Sequence, residues 1–109
     1  GIDIEMQRSK ILKIAHKFTP LSEYRTLANE EALIRKLTMV WGAKESLYKS
    51  FAEKGVSFLQ HIDVADFDLE IPQTTARVSY ENKTQEYAVW FKEFEGFTGA
   101  YALIDAPKP

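Results

Sequence analysis

Cysteine is absent from this chain of 109 residues, and that single gap removes disulfides, thiolate catalysis and cysteine zinc sites together. It fits a reducing compartment. Charge of one sign is also missing: the net charge is -2 and the pI about 5.7, so nothing in the composition favours a nucleic-acid partner. No apolar run approaches the roughly 18–20 residues of a membrane span, and no basic segment leads into an apolar core as a signal peptide would. Glycine-rich phosphate loops are lacking too. With only two histidines, His16 and His61, neither at metal-ligand spacing to a partner, no Ser/His/Asp arrangement is arguable. These gaps lead to the expectation of a cytoplasmic protein with neither a nucleic-acid nor a membrane partner.

What is present suits one small α+β domain over 1–105, with a loose tail at 106–109. Hydrophobic residues make up 45% of the chain, too many for a disordered segment. A core of this size leaves a thin stability margin, which docking or oligomerisation would widen. The opening on Gly1-Ile2-Asp3 without Met reads as a cut from a longer protein.

Residues 1–6 alternate, with Ile2, Ile4 and Met6 on one face and Asp3 and Glu5 on the other, the period of a strand. Ile11, Leu12, Ile14 and Ala15 fall at helical spacing within 8–17. Thr19-Pro20 starts a short helix to about Ala28. Asn29 caps a long helix, with Glu30 and Glu31 at its positive end. Leu33, Leu37, Val40, Trp41, Leu47, Tyr48 and Phe51 form its apolar stripe, and Gly55 reads as its C' glycine. Strands follow at 64–71, 76–81, 85–94 and 99–104, with turns at Asn82-Lys83 and Glu95-Gly96. Trp90, Phe91, Phe94 and Phe97 read as sheet core.

Chemistry concentrates in two places. Asp3 and Glu5 share one strand face, with Cα atoms roughly 6–7 Å apart. Two such carboxylates suit a hard divalent cation such as Mg²⁺; the plain alternative is the polar face of an exposed strand. On the long helix, Lys44 projects into the middle of the apolar stripe, where an ammonium must reach solvent or find an anion. Glu45 and Lys49, one turn apart on the flank, also fit an ordinary i,i+4 surface pair.

Taken together, Gly1-Ile2-Asp3-Ile4-Glu5 and Trp41-Gly42-Ala43-Lys44-Glu45-Ser46-Leu47-Tyr48-Lys49 resemble the two signatures of the 4'-phosphopantetheinyl transferase superfamily. That family carries Gly-[Ile/Val]-Asp-x-Glu on a strand. Trp/Phe-x-x-Lys-Glu-[Ala/Ser]-x-x-Lys follows on a helix some 35–40 residues later. Lys17-Phe18-Thr19-Pro20-Leu21-Ser22-Glu23-Tyr24 is similar to a segment between the two, and Gly55-Val56-Ser57-Phe58 to the loop after the helix. The resemblance is specific over 1–57 and architectural over 58–104. Its spelling favours the C-terminal half of the two-half, surfactin-synthetase-activating type.

The resemblance implies transfer of 4'-phosphopantetheine from coenzyme A to a serine of an acyl or peptidyl carrier protein. Asp3, Glu5 and Glu45 would be the Mg²⁺ ligands. Glu45 and Lys49 are the implied catalytic residues, Glu45 taking the serine proton. Lys44 and Lys49 would pair with coenzyme A phosphates. A lone half would lack the other half's basic residues. The chain would then be inactive alone, or would pair with that half or with itself as a homo-oligomer. The competing expectation is a catalytically incomplete half-domain that serves as a carrier-binding or scaffold module.

Overall fold

Asn29 starts the longest element by chemistry the sequence spells out: its side chain accepts from the Ala32 amide at 2.8 Å. A cap of this kind contributes about 1 kcal/mol. The computed structural model describes residues 1–21 and 29–105. In chain order the elements are β1 (Ile2–Met6), α1 (Ile11–Ile14) continued by a 3-10 turn (Ala15–Lys17), α2 (Glu30–Phe51), α3 (Phe58–His61), β2 (Ile62–Val64), β3 (Gln73–Tyr80), β4 (Lys83–Phe94) and β5 (Phe97–Ile104). The strands form one antiparallel sheet in the order β1-β5-β4-β3-β2. The fold is α+β, as expected.

Helix α2 lies across the inner face of this sheet. Leu37, Val40, Ala43 and Leu47 meet Val78, Val89, Phe91, Ala100 and Ala102 in one buried core, with Ile11, Ala15 and Phe18 closing one side. Small residues set the approach: a Cβ on Gly42 would stand 3.3 Å from the Ala100 Cβ. The strand register places Asp3 opposite Ala100, and Ala100 opposite Phe91. Asp3 therefore belongs to the row of inner-face residues beneath α2. A bidentate Arg35–Glu93 pair, at 2.7 and 2.9 Å, ties the helix to β4. Lys36 is buried over the Phe67 ring and donates to Asp66 and to the Phe67 carbonyl.

Several boundaries differ from expectation, each for a local reason. The strand expected at 64–71 ends at Val64, because Asp68 folds the chain back through its side chain to the Glu70 amide and its carbonyl to the Ile71 amide. The last three strands begin two or three residues earlier than the pattern suggested. The first hairpin turn is Glu81-Asn82, one residue before the expected pair; Tyr80 faces Lys83 and Glu81 takes φ 54. Glu95-Gly96 forms the second turn as expected, with φ 46 and 81, the two-residue turn that fits the twist of paired strands. Helix α2 ends at Phe51, and its left-handed cap is Ala52 rather than Gly55. Gly55 is needed for close approach instead, since a Cβ there would collide with the Tyr80 hydroxyl. Short α3 falls where only strands were expected, started by the Ser57 side chain accepting from Gln60. Of the aromatic quartet only Phe91 is buried; Phe94 is exposed on the other side of the sheet. The helix expected from Pro20 to Ala28 and the tail at 106–109 lie largely or wholly outside the described residues.

Candidate active site

The first contact between the two motifs is backbone. The Ser46 hydroxyl donates to the Gly1 carbonyl at 2.5 Å, and a Cβ on Gly1 would collide with the Ser46 carbonyl. Gly1 therefore lets the start of β1 lie directly against α2. The Gly1 ammonium and carbonyl also bond Ala102 of β5. This anchoring holds Asp3 under the helix, two residues along.

Asp3 is 8% exposed. Its Oδ1 accepts from Lys49 Nζ at 3.2 Å, while its Oδ2 is buried and meets no N–H or hydroxyl donor among the described residues. Gly42 faces that second oxygen, and a Cβ there would sit 3.6 Å from it. A buried carboxylate oxygen with nothing to accept from is costly unless a proton or a cation meets it. The exposed-strand alternative for Asp3 is thereby removed.

Glu5 lies on the same face, partly buried, and accepts from the Trp41 indole at 3.1 Å. Burial pushes its carboxyl up to about 7; a hydrogen bond with Asp3 and repulsion from Asp3 and Glu45 add to this, against the Trp41 indole. Glu45 is also raised, first by burial, then by Asp3, with Lys49 opposing. The three carboxylates thus repel one another across the β1–α2 junction. Lys49, 54% exposed, is not simply the surface partner of Glu45, because its ammonium is on Asp3. Lys44 is 2% exposed, in the middle of the apolar stripe as its helical position predicts. Its ammonium donates to the carbonyls of Phe18 (2.6 Å) and Phe58 (2.8 Å). It therefore ties the α1 side and the α3 start to the helix beside the carboxylates.

Trp41 stands between Phe18 and Phe58, at centroid distances of 5.0 and 5.3 Å. Trp41 lines two clefts. One, about 380 Å³, runs from Glu5 past Met6, Arg8 and Lys10 to Ile14. The other, about 460 Å³, is lined by Ile14, Lys17, Phe18, Trp41 and Phe58. The bases Arg8 and Lys10 were not singled out from sequence. The signal was there: no acid occurs between Glu5 and Glu23, while Arg8, Lys10, Lys13 and Lys17 do. His61 is occupied structurally, its Nδ1 accepting from the Ser57 amide at 2.7 Å.

Among the described residues no group of three His, Cys, Asp or Glu side chains is placed to hold a metal ion by itself, Asp3, Glu5 and Glu45 included. The repulsion among Asp3, Glu5 and Glu45 points the other way. The electrostatic observation is the more relevant for Mg²⁺, which takes one or two protein carboxylates and completes its shell with water and phosphate. The unpartnered Asp3 Oδ2 beside a Glu5 reluctant to ionise fits such a cation.

A model of the 4'-phosphopantetheinyl transferase superfamily matches residues 1–103. The chain belongs to that superfamily. No curated protein and no solved structure matches it. As a member of the 4'-phosphopantetheinyl transferase superfamily the chain falls among transferases of the phosphopantetheinyl group. The match spans both signatures and all of the sheet but its last residue, including the strands whose resemblance was architectural only. Among the described residues no helix is long and apolar enough to cross a membrane.

Proposed function

We propose that this chain transfers 4'-phosphopantetheine from coenzyme A to a serine hydroxyl of an acyl or peptidyl carrier protein, with Mg²⁺ held among Asp3, Glu5 and Glu45, one or two of them as direct ligands and the rest through water. The observation that carries this reading is the buried Asp3 oxygen that meets no N–H or hydroxyl donor among the described residues, on a strand face shared with Glu5 and beneath Gly42. Mg²⁺, when bound, would neutralise the charge that builds on a pyrophosphate as it is attacked.

The chain's own groups divide the remaining work. Glu45, whose carboxyl is held above its ordinary value, accepts the serine proton, directly or through one water. The serine oxygen forms a bond to the phosphorus that carries pantetheine, the bond from that phosphorus to the bridging oxygen breaks, and 3',5'-ADP leaves. Lys49 exchanges Asp3 for a phosphate oxygen. Lys44, the other lysine that the family pattern assigns to phosphate, braces the loops at Phe18 and Phe58 and adds positive potential from behind. Arg8 and Lys10 extend the basic lining of the cleft next to Glu5. In this reading the protein works in the cytoplasm, where coenzyme A and carrier proteins meet.

Calorimetric titration of coenzyme A, with and without Mg²⁺, tests the proposal. Binding should depend on Mg²⁺ and should be lost in Glu45→Gln with the circular dichroism spectrum unchanged. Binding that ignores both the metal and the substitution would refute it. A carrier protein that binds without coenzyme A binding or turnover would favour the scaffold reading.

A further inference from the structure

The row of inward side chains on β1 does not end at Glu5. Gln7 is the next residue on that face, half-buried, and it lies outside both signatures. Its amide donates to Glu93 Oε2 at 2.9 Å and to Thr98 Oγ1 at 3.0 Å. Its backbone N–H donates to the Gly96 carbonyl at 2.8 Å. Thr98 is fully buried; the register sets it opposite Glu5 on one side and opposite Glu93 on the other. Gln7 therefore reaches diagonally across β5 and closes the row of Glu5, Thr98 and Glu93. The Glu93 carboxylate also accepts from Nε and Nη2 of Arg35 on α2. That pair orients the amide. An ionised carboxylate can only accept, so Gln7 must turn its NH2 group toward it.

β1 needs such a hold. It is an edge strand of 5 residues, bonded to β5 on one side. Side chains alternate, so a slip of one residue would turn Ile2, Ile4 and Met6 inward and carry Asp3 and Glu5 outward. Hydrophobic partition favours that slip. What opposes it is specific to side chains. At the start of the strand the Gly1 carbonyl accepts from the Ser46 hydroxyl. In the middle are Asp3 on Lys49 and Glu5 on Trp41, contacts made by the very groups that a cation and a phosphate would engage. At the far end Met6 and Arg8 are exposed, and the inward contact is Gln7. A slip would pull its amide off both acceptors.

We propose that Gln7 is a positioning residue: braced by Glu93 and Arg35, it locks the register of β1 and so holds the Glu5 carboxylate against Trp41. Its effect on coenzyme A rests on the transferase reading; its effect on Glu5 does not. Without the two donors of Gln7 the end of β1 is free to shift, Glu5 leaves the Trp41 indole, and the carboxylates of β1 no longer face α2 together. Gln7 touches neither metal nor substrate in this account. It acts through the strand that carries Asp3 and Glu5.

Gln7→Met keeps the length of the side chain and removes both donors. The first readout uses the chain without coenzyme A or metal. In proton–nitrogen correlation spectra the Trp41 indole N–H, bonded to Glu5, should exchange with solvent at least about 10-fold faster in the variant, the scale of losing a hydrogen bond to a charged group. The Trp90 indole, stacked on Tyr101, is the control and should not change. Thr98→Val removes one of the two Gln7 acceptors; it should give a smaller change of the same sign, and it decides the matter if circular dichroism shows Gln7→Met unfolded. The second readout is calorimetric titration of coenzyme A in Mg²⁺, where Gln7→Met should bind at least about 10-fold more weakly. A Trp41 indole as protected as in wild type, with or without a fall in Tm, overturns the proposal and leaves Gln7 an ordinary structural contact. So does an indole that opens while Mg²⁺-dependent affinity holds. A wild-type chain that binds no coenzyme A would count against the transferase reading alone, and the indole comparison would still decide the role of Gln7.

Discussion

Replacing Glu5 by Gln should make the metal-free chain more stable at pH 8 while disabling its response to Mg²⁺. The glutamine keeps an oxygen in place to accept from the Trp41 indole, so the hydrogen bond survives and the charge alone is lost. A carboxyl raised from 4.5 to about 7 is one whose ionised form the folded chain disfavours. Fully realised, that shift corresponds to about 3 kcal/mol at high pH. Glu5 is only partly buried, and solvent screening leaves on the order of 1–2 kcal/mol. The sign follows from proton counting. Between pH 4.5 and about 7 the folded chain holds more protons than the unfolded chain, so wild-type stability falls as pH rises through that window. Below it both states are protonated and the variant has no advantage. For a domain of this size the gain at pH 8 is a rise in Tm of roughly 5–10 °C. Thermal unfolding of both proteins at pH 4, 6 and 8, in EDTA and then in Mg²⁺ with coenzyme A, reads the effect. Wild type should gain stability from the ligands and the variant should not. A variant destabilised equally at every pH would refute the argument, because the effect would then not follow the ionisation of Glu5.

Three further outcomes follow from other parts of the fold. Ala52→Gly should raise stability by about 0.5–1 kcal/mol in urea unfolding, since Ala52 holds the left-handed cap of α2 at φ 60, a conformation that costs an L side chain energy glycine is spared. Glu93→Gln should lower stability by about 0.5–1 kcal/mol at pH 7 and by progressively less as the solution is acidified below 4.5; the Arg35 hydrogen bond holds the Glu93 carboxyl below its ordinary value, so its contribution is present above that value and lost as pH falls through the folded one, a difference that acid titration of both proteins measures. Lys49→Gln should weaken coenzyme A at least about 10-fold in calorimetry, the loss of one charge-assisted bond, while the fold persists because Lys49 is half exposed; unchanged affinity would remove Lys49 from the phosphate site.

The parts of this fold that read directly from sequence are those where one residue type has one local use. Asn29 accepts from the amide three residues on, as an N-cap asparagine does, and Gly96 takes a positive φ that costs an L side chain energy. The failures come where a pattern is satisfied by two structures of similar cost. Phe67, Leu69 and Ile71 alternate with acids as a strand does, yet Asp68 can bond its own backbone two residues ahead, and that local turn wins. Gly55 looks like a helix cap, yet the helix ends earlier, with Ala52 in the left-handed position, and the glycine instead lies against Tyr80.

The same reasoning explains why the site was legible as residues and not as an arrangement. Alternation over residues 1–6 announces a strand but carries no information about which face is inside. Ordinary hydrophobic partition would bury Ile2, Ile4 and Met6 and leave Asp3 and Glu5 in water; the structure does the reverse. Exposing three large apolar side chains and burying a carboxylate are each unfavourable by about 1–3 kcal/mol per group in an isolated monomer. A strand that bears both costs at once needs a compensating contact, and Mg²⁺ held as proposed would supply it to the inner oxygens. The burial of Asp3 and Glu5 and the transferase reading therefore stand or fall together: if the chain proves indifferent to Mg²⁺, nothing that binds β1 accounts for its inverted faces.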